Sequence, residues 1–392
     1  MRIIRSIALL LALLWAQTAR ASATNDGFNL IVVGDPQPQT EAQLSQLENH
    51  IIPQIGTIVQ EYLATGYPTA ILLTGDVVWD TMEFIPRVRA AFESLGVPVY
   101  AVIGNHDHNR RIKRNQPRAE REYISAFGPR NQSFVLGRTL FVTLDNIDYS
   151  TYKEYRSKVD NEQLQWLTNI INQHPDNLRI AVCMHAPASN VYEAVLRPYA
   201  EPIVEAIGAR KIDFITGHSH RHATAVITPD ITEHNVAQVN GNLWYAPICA
   251  DGTPQGVFCI EERGGEWQWQ HSILGKEADY QLRAWHLGEV SEHEEFVVVK
   301  VIGWDDKWSI EWSENGVQKG KMEQIKIVDP DYMYYVDNEA DYRKKYMKRL
   351  YRSARPHSHY YRCRPSSKNS EITISATDRF VREFSTTIKA SK

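Results

Sequence analysis

The sequence predicts an α/β domain with largely parallel strand pairing, followed by a separate all-β module. Three observations predict it. Continuous apolar runs of strand length alternate with segments of helical period over roughly the first two-thirds of the chain. After about residue 222 the alternation gives way to short β runs separated by Gly, Pro and Asn. The 392 residues, 43% hydrophobic and 23% charged, have an ordinary globular composition and are enough for two domains.

The first element is not part of the fold. MRIIRS carries two arginines, IALLLALLWA is an apolar run too short to span a bilayer comfortably, and QTARASA offers small residues ending at Ala21 or Ala23. This is the layout of a secretory signal peptide, so residues 1–23 are expected to be removed. No cysteine follows the apolar run, which argues against lipid attachment, and the mature chain has no second apolar stretch of spanning length. The mature protein is therefore expected to be soluble and periplasmic or secreted. An uncleaved anchor helix is the alternative.

The predicted first domain, 24–275, opens on the strand FNLIVVG (28–34). Leu44, Leu47, Ile51, Ile55, Ile58 and Tyr62 then recur at helical spacing. TAILLTGDVV (69–78) is a second buried strand, FIPRVRAAFESLG a helix ending near Gly96, and VPVYAVIGN (97–105) a third strand. SFVLG and TLFVTLDN read as two strands around Gly137 and Arg138, and NEQLQWLTNIINQH as a helix. LRIAVCMH (178–185) and KIDFITGH (211–218) are strands with a helical segment between them. ATAVIT, NVAQVN, NLWYAPI, GVFCIEE and EWQWQHS come next as short β runs.

The predicted second domain, 276–392, contains FVVVKVIG, WSIEWSENG, MEQIKIV, ITISAT and FVREFSTTI, with a hairpin turn at ENG (314–316), and reads as a small sandwich. A basic stretch, DYRKKYMKRLYRSARPH (341–357), interrupts it and reads as a solvated helix packing Tyr342, Tyr346 and Leu350, with an anion patch as the alternative.

Charge and cysteine content narrow the function. Lys and Arg total 43 against 47 Asp and Glu, a net charge of -4, so no global field draws the chain to nucleic acid. Export permits disulfides among Cys183, Cys249, Cys259 and Cys363, in any of three connectivities. Cys249 and Cys259 flank DGTPQG and can face each other across a hairpin; four buried thiols fit equally.

Five predicted strands end in metal-ligand residue types: Gly34-Asp35-Pro36-Gln37, Gly75-Asp76, Gly104-Asn105-His106-Asp107, His185 and Gly217-His218-Ser219-His220. Singly these are weak signals, since GD is a common turn and a strand-end histidine is usually core. Together they converge beyond the carboxyl ends of the strands, where open α/β sheets bind ligands. The mixed set of acids, amides and imidazoles suits Mn, Fe or Zn.

GDPQ, GD, GNHD, a strand-end His and GHSH stand in the order of the calcineurin-like metallophosphoesterases, and over residues 28–260 the sequence resembles that family. The resemblance implies a two-layered β-sandwich core flanked by helices, with two divalent metal ions at the strand ends. It implies that Asp76 bridges them, that Asp35 and His220 hold the first with Gln37 in a position usually histidine, and that Asn105, His185 and His218 hold the second. A hydroxide between the metals would attack a phosphate mono- or diester in line, with His106 assisting the leaving oxygen and Asp107 orienting His106. NGNLWY, DGTPQG, WSIEWSENG and ATDRF look like segments of exported bacterial members with a C-terminal β module.

Two departures stand out. Gln37 is neutral and a weaker ligand than imidazole, so it is expected to be a weak or outer-sphere ligand and the first metal to be easily lost. The acid expected three residues after Asp76 is Trp79, with Asp80 one later, which argues against a Ser/Thr protein phosphatase. Arg221 and His222, after GHSH, are candidates to meet the substrate. Asp145 and Asn146 are candidates to support the loops, and Trp244, Tyr245 and Asp251 to wall the cleft. The expected substrate is a small-molecule or glycan or lipid phosphoester. Two other readings are a catalytically inactive binding protein of the cell envelope, which Gln37 permits, and an envelope-attachment role for residues 278–392.

Overall fold

The computed structural model of the chain describes residues 27–112, 115–149, 155–339 and 354–392. The expected signal peptide, and residues 341–353 of the basic stretch, lie outside the described residues.

Two sheets stack face to face. The first has five strands in the order Glu266–Ile273, Gly256–Arg263, Gly27–Val33, Thr69–Leu73, Val99–Ala101. The last three run parallel and the first two close the edge antiparallel. The second sheet has six, in the order Ala223–Thr228, Ile231–Asn235, Ile212–Thr216, Arg179–Cys183, Thr139–Thr143, Gln132–Leu136, with four parallel strands between antiparallel edges. The third predicted strand, VPVYAVIGN, is reduced to Val99–Ala101, because the residues after it turn into the GNHD loop.

The apolar runs are continuous because both sheet faces are covered. Along the first strand Phe28, Leu30 and Val32 meet the second sheet, with Phe28 edge-on to Phe141 at 5.4 Å, while Ile31 and Val33 face helices. Leu44 from helix Glu41–Gln46, Ile55 from helix Ile52–Ala64, and Leu47 and Ile51 between them pack onto that outer face. A π turn at Leu47–Ile51 joins the two helices. Pro53, which has no N–H to close a bond back to Asn49, sits where the turn widens. On the far side, helices Asn161–Asn172 and Glu201–Ile207 cover Leu140, Val142, Ile180, Val182 and Phe214. The Asp160 carboxylate caps the first of these, accepting from the Gln163 N–H at 2.8 Å. The result is the layered β core flanked by helices that the sequence led us to expect.

From Leu282 the strands belong to two further four-stranded antiparallel sheets that enclose a common core of Val297, Val299, Ile310, Ile372, Ile374 and neighbours. The ENG turn is a two-residue hairpin, with Asn315 and Gly316 both at positive φ (49° and 79°) joining Ser309–Glu314 to Val317–Lys321. All four cysteines are buried free thiols; Cys249 donates to the carbonyls of Gln238 and Gly241 rather than pairing with Cys259.

Two predicted β runs, NVAQVN and NLWYAPI, are not strands beyond Asn235. Residues 236–254 instead wrap over the GDPQ turn. Isolated bridges (Gly34 with Gln238, Asn242 with Ala246) replace a ladder, and Gly241, Leu243 and Trp244 take positive φ. Side chains satisfy the backbone they cover: Asn240 donates to the Pro36 carbonyl at 2.8 Å and the Trp244 indole to the same oxygen at 2.9 Å.

Candidate metal centre

The loops after strands of both sheets meet at one edge of the sandwich. Of the twelve non-glycine residues at positive φ among the described residues, eight lie here: Asp35, Gln37, Asp76, Asp80, His218, His220, Leu243 and Trp244. Such strain persists only where surrounding contacts enforce it, and it marks functional loops. Glycines permit the crowding. A Cβ on Gly104 would collide with the backbone nitrogen and carboxylate of Asp76, and one on Gly217 with the carboxylate of Asp35.

The convergent atoms form two adjacent groups. In one, the His220 Nε2 lies 3.2 Å from Asp35 Oδ2, and Asp35, Asp76 and His220 are close enough to share an ion. In the other, His185 Nε2 lies 3.1 Å from Asn105 Oδ1, 3.1 Å from His218 Nδ1 and 3.3 Å from Asp76 Oδ1. Asp76 belongs to both groups. Asp35 and Asp76 are fully buried, yet they meet histidines rather than a permanently charged Lys or Arg. His185 Nδ1 donates to the Thr74 carbonyl at 2.8 Å, which leaves its Nε2 facing the group.

Electrostatics agree with a cluster of mutually dependent charges. Burial acts to raise the Asp76 carboxyl, but the His185 and His106 imidazoles outweigh it and hold the carboxyl far below its usual range. Burial acts to lower His185, but Asp76 overrides it and pushes the ring up to about 9. Burial, then the neighbouring His185, holds His218 down at about 3.

Gln37 tests whether the residues fit a metal. Its Nε2 donates to Gln238 Oε1 at 3.0 Å, and that oxygen is fixed by the Leu243 N–H at 3.1 Å. The amide orientation is therefore set, and Gln37 Oε1 is left buried with no hydrogen-bond partner. In this orientation the amide nitrogen lies 3.1 Å from His220 Nε2, so Gln37 would give its oxygen to an ion held by Asp35 and His220 only with the amide reversed. The donor set fits two divalent ions of the Mn, Fe or Zn type.

The family model for calcineurin-like phosphoesterase matches residues 28–222, and a second, for the C-terminal part of calcineurin-like phosphoesterases, matches residues 233–384. The chain belongs to the calcineurin-like phosphoesterases. A protein of Arcobacter nitrofigilis named a probable glycerophosphodiester phosphodiesterase is 25% identical over 183 residues, covering 43% of this chain and 65% of its own length, just under two thirds. Among solved structures, a dimetal phosphatase from Danio rerio shares 12% identity at TM-score 0.43, covering 70% of this chain and 96% of its own. A purple acid phosphatase from yellow lupin shares 11% at TM-score 0.46, covering 64% and 52%.

Within this calcineurin-like centre, two expectations are corrected. Asp107 does not orient His106: its Oδ1 accepts from the Val78 N–H at 3.1 Å and its Oδ2 from the Gly104 N–H at 2.8 Å. It clamps the loop, and burial and then the Asp76 charge raise its carboxyl to about 7. Asp80 takes the orienting place, with Oδ1 3.0 Å from His106 Nδ1. The one-residue offset is absorbed by positive φ at Asp80 (58°), and the His106 ring stacks on Trp79 at 4.0 Å. His222 does not reach the metal cleft. Its backbone N–H donates to Asp251 at 2.9 Å and its ring packs beside Phe258 and His271.

Arg221 does line the cleft, with Asp76, Trp79, Asn105, His106, His218 and Leu243. Tyr155 escaped sequence reasoning. Its hydroxyl lies 2.6 Å from His218 Nε2, but it sits in a loop with no motif around it. Asp145 and His108 support the GNHD loop from below: His108 Nδ1 donates to the Gly104 carbonyl at 2.8 Å, and Asp145 Oδ2 lies 3.7 Å from its Nε2.

Proposed function

We propose that the mature chain is an exported, two-metal phosphoric ester hydrolase acting on a phosphate mono- or diester. The observation that carries this reading is the convergence of Asp35, Asp76, Asn105, His185, His218 and His220 beside a histidine, His106, already paired to Asp80. Asp35, Gln37, Asp76 and His220 would hold one ion and Asp76, Asn105, His185 and His218 the other. Bound there, the ions would supply Lewis-acid stabilisation and an activated water.

The chain's own residues supply the rest. His106 stands at the cleft wall, partly exposed, so its Nε2 faces the place where a leaving oxygen departs. The Asp80 carboxylate accepts from Nδ1–H, so the proton that Nε2 can pass to a leaving oxygen is the second one, carried by the imidazolium that Asp80 stabilises. Burial disfavours the charged ring, but Asp76 and Asp80 outweigh it and raise its affinity for the proton, as a general acid requires. Arg221 offers a guanidinium to the phosphoryl oxygens. Histidine–acid pairing is what an inactive binding protein would not need to keep. The Arcobacter nitrofigilis relative, named a phosphodiesterase, supports the diester branch. A small-molecule, glycan or lipid phosphoester in the periplasm or outside the cell fits the leader-like N-terminus.

The test is turnover of aryl phosphate mono- and diesters by the purified chain after metal removal and readdition of Mn, Fe(II), Zn, Ni or Mg. Metal-dependent turnover abolished by Asp76→Asn and strongly reduced by His106→Ala is expected. Two ions bound with no turnover of either ester class would favour the binding protein.

A further inference from the structure

A second cavity lies beside the metal cleft, between the two domains. It holds about 540 Å³ and is walled by both domains: Tyr192, Arg221 and His222 from the first, Trp304, Lys326 and His357 from the second. Arg221 lines this cavity and the metal cleft alike, so the two spaces share one wall.

Its charge is one-sided. Arg221, Lys300, Lys326 and Arg355 line it against a single lining carboxylate, Asp306. Asp306 is engaged by Lys307 and Arg379, both at 3.4 Å. Lys300 is neutralised by Asp329 at 2.8 Å. Arg221 and Lys326 have no carboxylate ion pair among the described residues. Burial lowers His357, where Asp251 and Asp329 act to raise it and Arg221 and Lys326 to lower it; burial lowers His359, with His357 and Lys300 adding to it. His357 is 8% exposed and its Nε2 has no hydrogen-bond partner, so an unpaired polar ring atom is held in the wall. Apolar surface from Val191, Val226 and Trp304 completes the lining.

We propose that this interdomain cavity is an anion site that takes a second anionic group of the substrate, a phosphate, sulfate or carboxylate on the part of the molecule remote from the scissile ester. The assignment to substrate rests on the hydrolase reading; the anion site itself does not. It gives the β module a task, since Lys326 and His357 reach the ligand only because the module is docked. It also places Arg221 between the two anionic groups, where one guanidinium can meet both.

Two measurements on the full chain test this. The first compares alkanediol bisphosphates with alkyl monophosphates of equal length by phosphate release. The wild type is expected to favour the bisphosphate in kcat/KM by about fivefold at low salt, the preference shrinking as salt rises. Lys326→Gln with Arg355→Gln is expected to erase the ratio, and a charge-matched control at exposed sites, Lys321→Gln with Lys368→Gln, to keep it. The second measures tripolyphosphate binding to the metal-free chain by calorimetry, with the same variants. Binding weakened by the double variant is expected. Turnover without bisphosphate preference, and binding indifferent to the variants, overturns the site and leaves the hydrolase reading standing. Variant-sensitive binding with no turnover of any ester upholds the anion site and removes the hydrolase reading. Variant-sensitive binding with turnover but no bisphosphate preference makes the occupant a free anion and overturns its assignment to substrate.

Discussion

Gln37 occupies the position where the family usually has an imidazole. Gln238 and the Leu243 N–H hold its amide with the nitrogen toward His220, so offering the oxygen to an ion requires the amide to turn over. Gln37→Ala is expected to weaken the Asp35 and His220 site about 10- to 100-fold in metal affinity. Gln37→His should tighten it, both read by metal titration with activity as a secondary check. If alanine leaves both affinities unchanged, the glutamine is only a space-filler. The Asp80 and His106 pair carries a second prediction at this scale. Asp80→Asn should lower kcat by about 10²-fold, the range of a general-acid contribution. Asp80 favours the protonated ring, so its loss should also move the alkaline limb of the pH profile to lower pH.

At the scale of elements, the GNHD loop is held from beneath by a buried cluster. His108, Glu120 and Asp145 lie together, with the Arg130 guanidinium 3.5 Å from Asp145 and 3.7 Å from Glu120. Burial opposes the charged His108 ring, but Asp145 and Glu120 outweigh it and raise the ring to about 10. A group raised in the folded state adds stability that is fully present below its unfolded value of about 6.5 and is lost as pH climbs through the folded value. Thermal stability should therefore fall between about pH 6.5 and 10. In His108→Gln that slope should flatten, as measured by Tm against pH. A wild-type Tm flat across this window would mean that the ring is neutral in the fold. Segment 236–254, the other element that shapes the cleft, is bound to the β module. Asn242 donates to the Tyr332 hydroxyl at 2.9 Å, and Ala246, Ile248 and Ala250 pack against Tyr332 and Val336.

For the whole molecule, one buried ion pair of the second domain also reaches the first. Lys300, 2% exposed, donates to the Gly252 carbonyl at 2.8 Å and to Asp329 at 2.8 Å. Asp329 also accepts from the Tyr360 hydroxyl at 2.8 Å and caps helix Pro330–Asn338. Removing one partner strands the other as an unpaired buried charge. Lys300→Met is expected to destabilise the chain by about 3–5 kcal/mol and to lower Tm by roughly 10 °C. Because Gly252 belongs to the wrapping segment, KM should rise as well. A drop of only a degree or two in Tm would show that the pair is open to water. Among the described residues, no helix is long and apolar enough to cross a membrane.

Much of the centre was legible from spacing alone. Asp35, Asp76, Asn105, His185, His218 and His220 each come just after a strand, and parallel strands carry the residues beyond their carboxyl ends to the same edge. The α/β core was legible for a related reason: strands covered on both faces must be largely apolar, and the runs at 28–34, 69–73 and 179–183 are, apart from Asn29, Thr69 and Arg179 at their starts. Tertiary structure decided what periodicity does not encode. Asp80 replaces Asp107 because a strained backbone swings it under His106, and a φ of 58° leaves no mark on residue type. His222 turns away from its neighbours in GHSH because its ring packs on Phe258, a residue far along the chain. The segment after Asn235 looks like strand by composition but wraps as irregular chain, since Asn240, Trp244 and Gln238 satisfy backbone and amide groups across the GDPQ turn. Ligand identity is local and survives in sequence; the partners that orient each ligand, and the cavity beside them, come from contacts between distant segments that only the folded chain brings within hydrogen-bond reach.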